Sequence, residues 1–189
     1  RESVAFWRGV DGFRACGYLF VAHSQATLDR LEANVAVQRA AGVPSRIVTA
    51  DEAADLVPGL ATDGLAGAAW CAEDGYFDRP QAVVERLARD VEVRIGAVAE
   101  LQPAWTVVLD NGARVEAQHV LVAAGVDTPA LLRPLGVELP IEPESRWLFL
   151  STPIRERLLE ALVVAPERRF AAKQLADGRV LASDLSATG

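Results

Sequence analysis

The chain has 189 residues, 51% hydrophobic and 24% charged, a globular composition that excludes disorder. A formal net charge of −7, a pI of about 4.9 and scattered basic residues exclude a nucleic-acid backbone as the natural partner. No apolar run reaches the roughly 18 residues of a membrane span, so none is expected.

Cys16 and Cys71 lie far apart without CxxC spacing and read as two free thiols, which suits the cytoplasm. The opening RESVAFWRGV lacks the apolar stretch of a signal peptide, and the chain contains no Met. It is therefore expected to be a segment of a longer protein.

In chain order, CGYLFVAH (Cys16 to His23) predicts a strand. Ser24 is placed to cap a helix whose apolar stripe is Leu28, Leu31 and Val35 and which Gly42 closes. A short strand in SRIVTA precedes Thr49-Ala50-Asp51-Glu52, a capping box that starts a brief helix ended by Pro58-Gly59. GLAGAAWCAEDGYFD predicts a strand and an Asp-Gly turn, then Asp78 as the cap of a helix with Pro80 at its start.

VEVRIGAVAEL reads as a strand, and WTVVLDNGARVEAQHVLVAAG as a hairpin about Asp110-Asn111-Gly112. HVLVAAGVDTPALLRPLG continues as buried strand, small-residue corner and helix. SRWLFLSTP predicts a strand, IRERLLEALV a helix, and RRFAAKQLADGRVLASD a hairpin turning at Asp177-Gly178. Trp70 and Trp147 fall in strand patterns and read as core. Helices and hairpins alternate, so the fold class is α/β (α+β), a mixed sheet with flanking helices.

His23 and His119 lack ligand spacing, so no metal is expected. Gly-x-Ser-x-Gly and Gly-Lys-Ser/Thr are missing. No two glycines are separated by one residue, so a self-contained Gly-x-Gly-x-x-Gly dinucleotide site is impossible in these residues.

Three blocks in order carry a likeness: EDGYFDRPQAVVERLARDVEVRIGAVAEL, WTVVLDNGARVEAQHVLVAAGVDTPALLRPLGVELPIEP and KQLADGRVLASD. Together with the strand, long helix and LVPGL turn before them, they resemble the middle of FAD-dependent oxidoreductases of the D-amino-acid oxidase type. The nearest members in kind are sarcosine oxidase β-subunit, glycine oxidase and D-amino-acid or opine dehydrogenases. Asp127-Thr128 stands where many members carry Trp-Ser, and Glu144-Ser145-Arg146 where many carry an Arg-Gly-Gln-like turn.

The resemblance implies that residues 1–78 and 138–189 are two parts of a substrate-binding domain and 79–137 part of an FAD-binding domain. It places Ala123, Ala124 and Gly125 at a corner where small residues let the main chain approach FAD, and Val98 at the adenine. Lys173 and Gln174 match a polar pair near the substrate, Lys173 being the one lysine and suited to a substrate carboxylate. Alternation allows at most one of the two to face the flavin, and Phe170 and Arg146 are further candidates to line that cavity.

No catalytic residue is assigned. The implied reaction is oxidation of a small amino acid or secondary amine to an imine, with FAD not retained by this segment alone. A partner subunit or a homodimer is compatible with this reading. The alternative is a non-catalytic substrate-domain or partner-binding module that holds no flavin.

Overall fold

The computed structural model describes residues 2–184. Helix α1 (Glu2–Trp7) and strand β1 (Phe13–Arg14) lead into β2 (Tyr18–Ala22), α2 (Gln25–Ala40), β3 (Arg46–Val48), α3 (Ala50–Leu56), β4 (Gly67–Cys71), β5 (Tyr76–Phe77) and α4 (Pro80–Leu87). Next come β6 (Val98–Gln102), β7 (Thr106–Leu109), β8 (Arg114–Glu116) and α5 (Thr128–Leu132). The chain continues with β9 (Trp147–Leu150), β10 (Leu162–Ala165), β11 (Phe170–Gln174) and β12 (Val180–Asp184).

Two compact units result: Ala88–Ser145 form one, and the described residues before and after it form the other. The first division falls nine residues beyond the expected limit of 79, because α4 goes with the larger unit, and the second falls eight residues beyond 137. Residue 1 and residues 185–189 of the expected domains lie outside the described residues.

The larger unit is built on a seven-stranded mixed sheet in the order β3-β4-β2-β10-β11-β12-β9. Only β2 and β10 run parallel within it, with Val163 opposite Leu19. One face packs Leu19, Val21, Ala68, Val163 and Ala165 with Val48 of β3 and Ala53 and Val57 at α3, forming the core. A two-stranded β1–β5 ribbon belongs to the same unit. The smaller unit holds the antiparallel meander β6-β7-β8 and α5, with Leu101 buried.

Local signals read from the sequence hold where local chemistry decides them. Ser24 accepts from Thr27 N–H at the start of α2, and Thr49 and Glu52 complete a capping box on α3. The Asp-Asn-Gly and Asp-Gly hairpins form as expected. At Gly178 (φ 86°) a Cβ would lie 2.4 Å from the Ile154 carbonyl oxygen, so this turn requires glycine. Cys16 and Cys71 carry free thiols.

Five expectations are corrected. Residues 154–161 form no helix: the Gln174 amide captures the main chain of Glu156, Leu158 and Leu159 instead. Residues 119–124 form no strand, and Leu121 is 92% exposed, as is Ile95 at 99% in the equally strandless 91–95 stretch. A buried strand needs hydrogen-bonded neighbours, and the meander supplies none to either stretch. Asp78 precedes α4 by two residues and accepts from Ala176 N–H (3.1 Å) while pairing with Arg14 (3.8 Å). Trp147 is exposed rather than core, whereas Trp70 packs against the core.

Glu167, in the turn after β10, fastens that strand to α2. Its carboxylate accepts from the Ser24 hydroxyl and the His23 main-chain N–H, which hold its pKa down from 4.5 to about 2. A depressed carboxylate stabilises the fold above its unfolded pKa and ceases to do so as pH falls through the folded value. Glu167→Ala is therefore expected to lower Tm by a few degrees at pH 7, the difference shrinking between pH 4.5 and about 2. A deficit that stayed constant over that range in a pH series of melts would contradict this linkage.

Candidate functional site

Strand register sorts the side chains of the sheet onto two faces. Phe170, Asp184 and Trp147 lie opposite one another across β11-β12-β9, as do Ala172, Ala182 and Phe149. Ala172 also pairs with Val163, so this is the face that carries the core farther along the sheet. Past the core, α3 and its following loop no longer cover it, and Trp147, Phe149 and Phe170 are exposed.

Between the two regions opens a cavity of about 430 Å³. Val163, Phe170, Ala172 and Val180 form its sheet wall; the 57–61 loop and Leu158-Leu159 close the sides. Every lining side chain is apolar. Volume and lining are those of a small-molecule site that holds the apolar part of its ligand.

Lys173 belongs to the other face, with Leu181 and Leu150. Its ammonium stands 4.1 Å from the centre of the Tyr76 ring, a cation–π contact. Burial pushes its pKa down, against the opposing pull of the Asp78 carboxylate. Burial likewise pushes up the Tyr76 phenol and the Cys16 thiol. Tyr76 donates to the Gln174 carbonyl oxygen at 2.6 Å, so Lys173 and Tyr76 tie β5 to β11.

Gln174 is 1% exposed on the cavity side of the sheet, yet it offers nothing to a ligand. Its Nε2 donates to the carbonyls of Glu156 (2.9 Å) and Gly178 (3.0 Å). Its Oε1 accepts from the N–H groups of Leu158 (2.7 Å) and Leu159 (3.2 Å). The amide thus uses its full bonding capacity to hold the segment that forms one cavity wall.

Of the residues expected near the substrate, only Phe170 lines the large cavity; Lys173 faces away and Gln174 supports the wall from behind. Sequence reasoning missed the 57–61 loop and Leu158-Leu159. LVPGL was legible as a helix stop, and nothing in it shows that it also roofs a cavity.

In the smaller unit, Val98 opens β6 opposite Leu109. Ala123 and Ala124 are exposed and lead into a one-turn 3-10 helix at Gly125–Asp127 that runs into α5. Gly125 has φ 58°, and nothing lies within 4 Å of the position a Cβ would take. That corner combines a backbone conformation favouring glycine with open space beside the main chain, which fits the close approach of a cofactor.

The family model described as "DAO: FAD dependent oxidoreductase" matches residues 1–185, and the chain belongs to that family.

The chain is 32% identical to mitochondrial sarcosine dehydrogenase of Homo sapiens over 141 residues, covering 66% of this chain and 15% of that protein. It is 32% identical to D-amino acid dehydrogenase of Cereibacter sphaeroides over 164 residues, 75% of this chain and 34% of the relative. The fold is that of L-proline dehydrogenase from P. horikoshii (TM-score 0.79, 19% identity, 96% of this chain and 53% of that one). Glycine oxidase from Bacillus cereus shares it too (TM-score 0.74, 21% identity, 96% and 54%). The chain therefore spans about half the length of these structures and less of the curated relatives. Among the described residues no helix is long and apolar enough to cross a membrane.

Replacing Gln174 with Leu leaves the Glu156 carbonyl and the Leu158 and Leu159 N–H groups without this partner in a part-buried setting, while the Gly178 carbonyl keeps the Ile154 N–H. The expected cost is about 3 kcal/mol or more, measured by urea unfolding. A loss under about 1 kcal/mol would mean that the 156–159 segment does not depend on this amide.

Proposed function

We propose that the intact protein is an FAD-dependent oxidoreductase that converts a small amino acid or secondary amine (sarcosine, glycine, a D-amino acid or an opine) to an imine, which water then hydrolyses. The observation that carries this is the 430 Å³ apolar cavity on the Phe170 face of the sheet, in a chain that belongs to an FAD-dependent family. Bound FAD supplies the two-electron acceptor for hydride leaving the carbon that bears the amine.

The chain's own contribution is positioning. Phe170, Ala172 and Val180 present an apolar wall, and the Gln174 amide fixes Leu158 and Leu159 against it. None of the lining side chains titrates, so they cannot accept the substrate's proton. An apolar wall also disfavours a charged ammonium, so the neutral amine is the form that reacts there.

In this reading, Val98, Ala123, Ala124 and Gly125 let the main chain of residues 88–145 approach the cofactor. That segment is part of the FAD-binding domain, and the flanking segments form the substrate domain. The bare apolar stretches around Ile95 and Leu121 support completion of the smaller unit's sheet by further chain, with FAD held by the whole. Lys173 has a scaffold role, because it contacts Tyr76 on the opposite face. Free Cys16 and Cys71 support a reducing compartment such as the cytoplasm.

The full-length protein is expected to purify with flavin absorption that bleaches anaerobically on addition of an amino acid or secondary amine. A folded full-length protein that takes up no FAD would instead establish the non-catalytic reading. Gly125→Val, which forces a branched side chain to φ 58°, should lower FAD retention more than it lowers apoprotein Tm. Equal losses would make Gly125 a packing residue only.

A further inference from the structure

We infer that the cavity selects its substrate by a sizeable apolar side chain, favouring branched or aromatic amino acids over glycine, sarcosine and amino acids with charged side chains. This rests on the proposed function and narrows it. A site for glycine or sarcosine needs little room beyond the reacting carbon. Here a space of about 430 Å³ extends between β11 and the Pro58-Gly59 loop.

The chemistry of the walls points the same way. Val57, Leu60, Leu159, Val163 and Phe170 offer no hydrogen bond from their side chains. The buried amide behind the wall, Gln174, is fully committed to main-chain partners and cannot turn toward a polar ligand without orphaning the Leu158 and Leu159 N–H groups and the Glu156 carbonyl. A carboxylate or guanidinium placed there would lose its hydration without compensation. An aliphatic or aromatic group instead gains with every carbon buried, roughly tenfold or more per methylene in a fitted pocket.

Ala172 is the lever for a test, because it is the smallest side chain in the middle of the sheet wall and is itself buried. Ala172→Leu projects three more carbons into the cavity. Leu60→Trp fills it from the loop side, where the wild-type side chain is only half-buried, and serves where the first variant fails to fold.

The experiment uses the full-length, FAD-loaded protein and measures kcat/KM by flavin reduction. The panel is both enantiomers of leucine, valine and phenylalanine, with glycine, sarcosine, aspartate and arginine. The expected result is at least a 100-fold preference for one of the apolar amino acids over glycine, sarcosine and the charged pair. The cavity-filling variant should cut that preference tenfold or more, with the flavin spectrum retained.

Comparable or better turnover of glycine, sarcosine, aspartate or arginine would overturn the selectivity while leaving the oxidoreductase assignment standing. So would an unchanged preference in a folded cavity-filling variant. A flavin that none of the panel reduces would overturn the inference, and a folded full-length protein that takes up no flavin would overturn the assignment on which it rests.

Discussion

The parallel pairing of Tyr18–Phe20 with Leu162–Val164 is the contact on which the larger unit depends. It joins two stretches of chain separated by the entire 88–145 unit, and it brings Val163 beside Leu19 in the core. Without it, β2-β3-β4 and β9-β12 would be two small sheets, each with a bare apolar edge. Closing so long a loop costs entropy before any contact is returned, so the junction is reinforced on both sides of the pair. Glu167 fastens the end of β10 to the cap of α2, and Gln174 fastens the approach to β10 to β11.

That junction also makes the cavity. Core side chains fill the sheet face as far as Val163, where α3 and its loop still cover it. Beyond Val163 the strands continue, but the cover stops at the 57–61 loop, leaving space over Ala172 and Phe170. The cavity is thus the place where the cover of this sheet face ends, and its apolar lining is the exposed end of the same core. On the reverse face the polar side chains serve cohesion: Lys173 stacks on Tyr76, and Asp78 receives the Ala176 N–H.

Much of this was legible where a few neighbouring residues decide the outcome. Ser24, the Thr49–Glu52 box and both Gly-containing hairpin turns satisfy backbone groups within four residues of themselves, and each forms as read. Residues 154–161 have a helical sequence, yet the side chain that overrides the helix sits at position 174, too distant for any local pattern to register. Residues 119–124 have the composition of a buried strand, which is a statement about neighbours these residues do not have.

For the site, alternation told correctly that Lys173 and Gln174 face opposite ways, but not which face is open. Charge drew attention to Lys173, whereas the cavity is lined by residues such as Leu60, Leu159 and Ala172 that no chemical motif distinguishes from core. The open face could be known only from where the cover ends, and that is set by the length and path of the loop after α3.

The most direct measurement is a crystal structure of the flavin-loaded, full-length protein with a slow substrate or competitive inhibitor bound. The expected result is the ligand in the Phe170–Ala172 cavity, with Lys173 still over Tyr76. A ligand whose carboxylate is paired with Lys173 on the opposite face of the sheet would contradict it, and the functional surface would then be the one assigned here to cohesion.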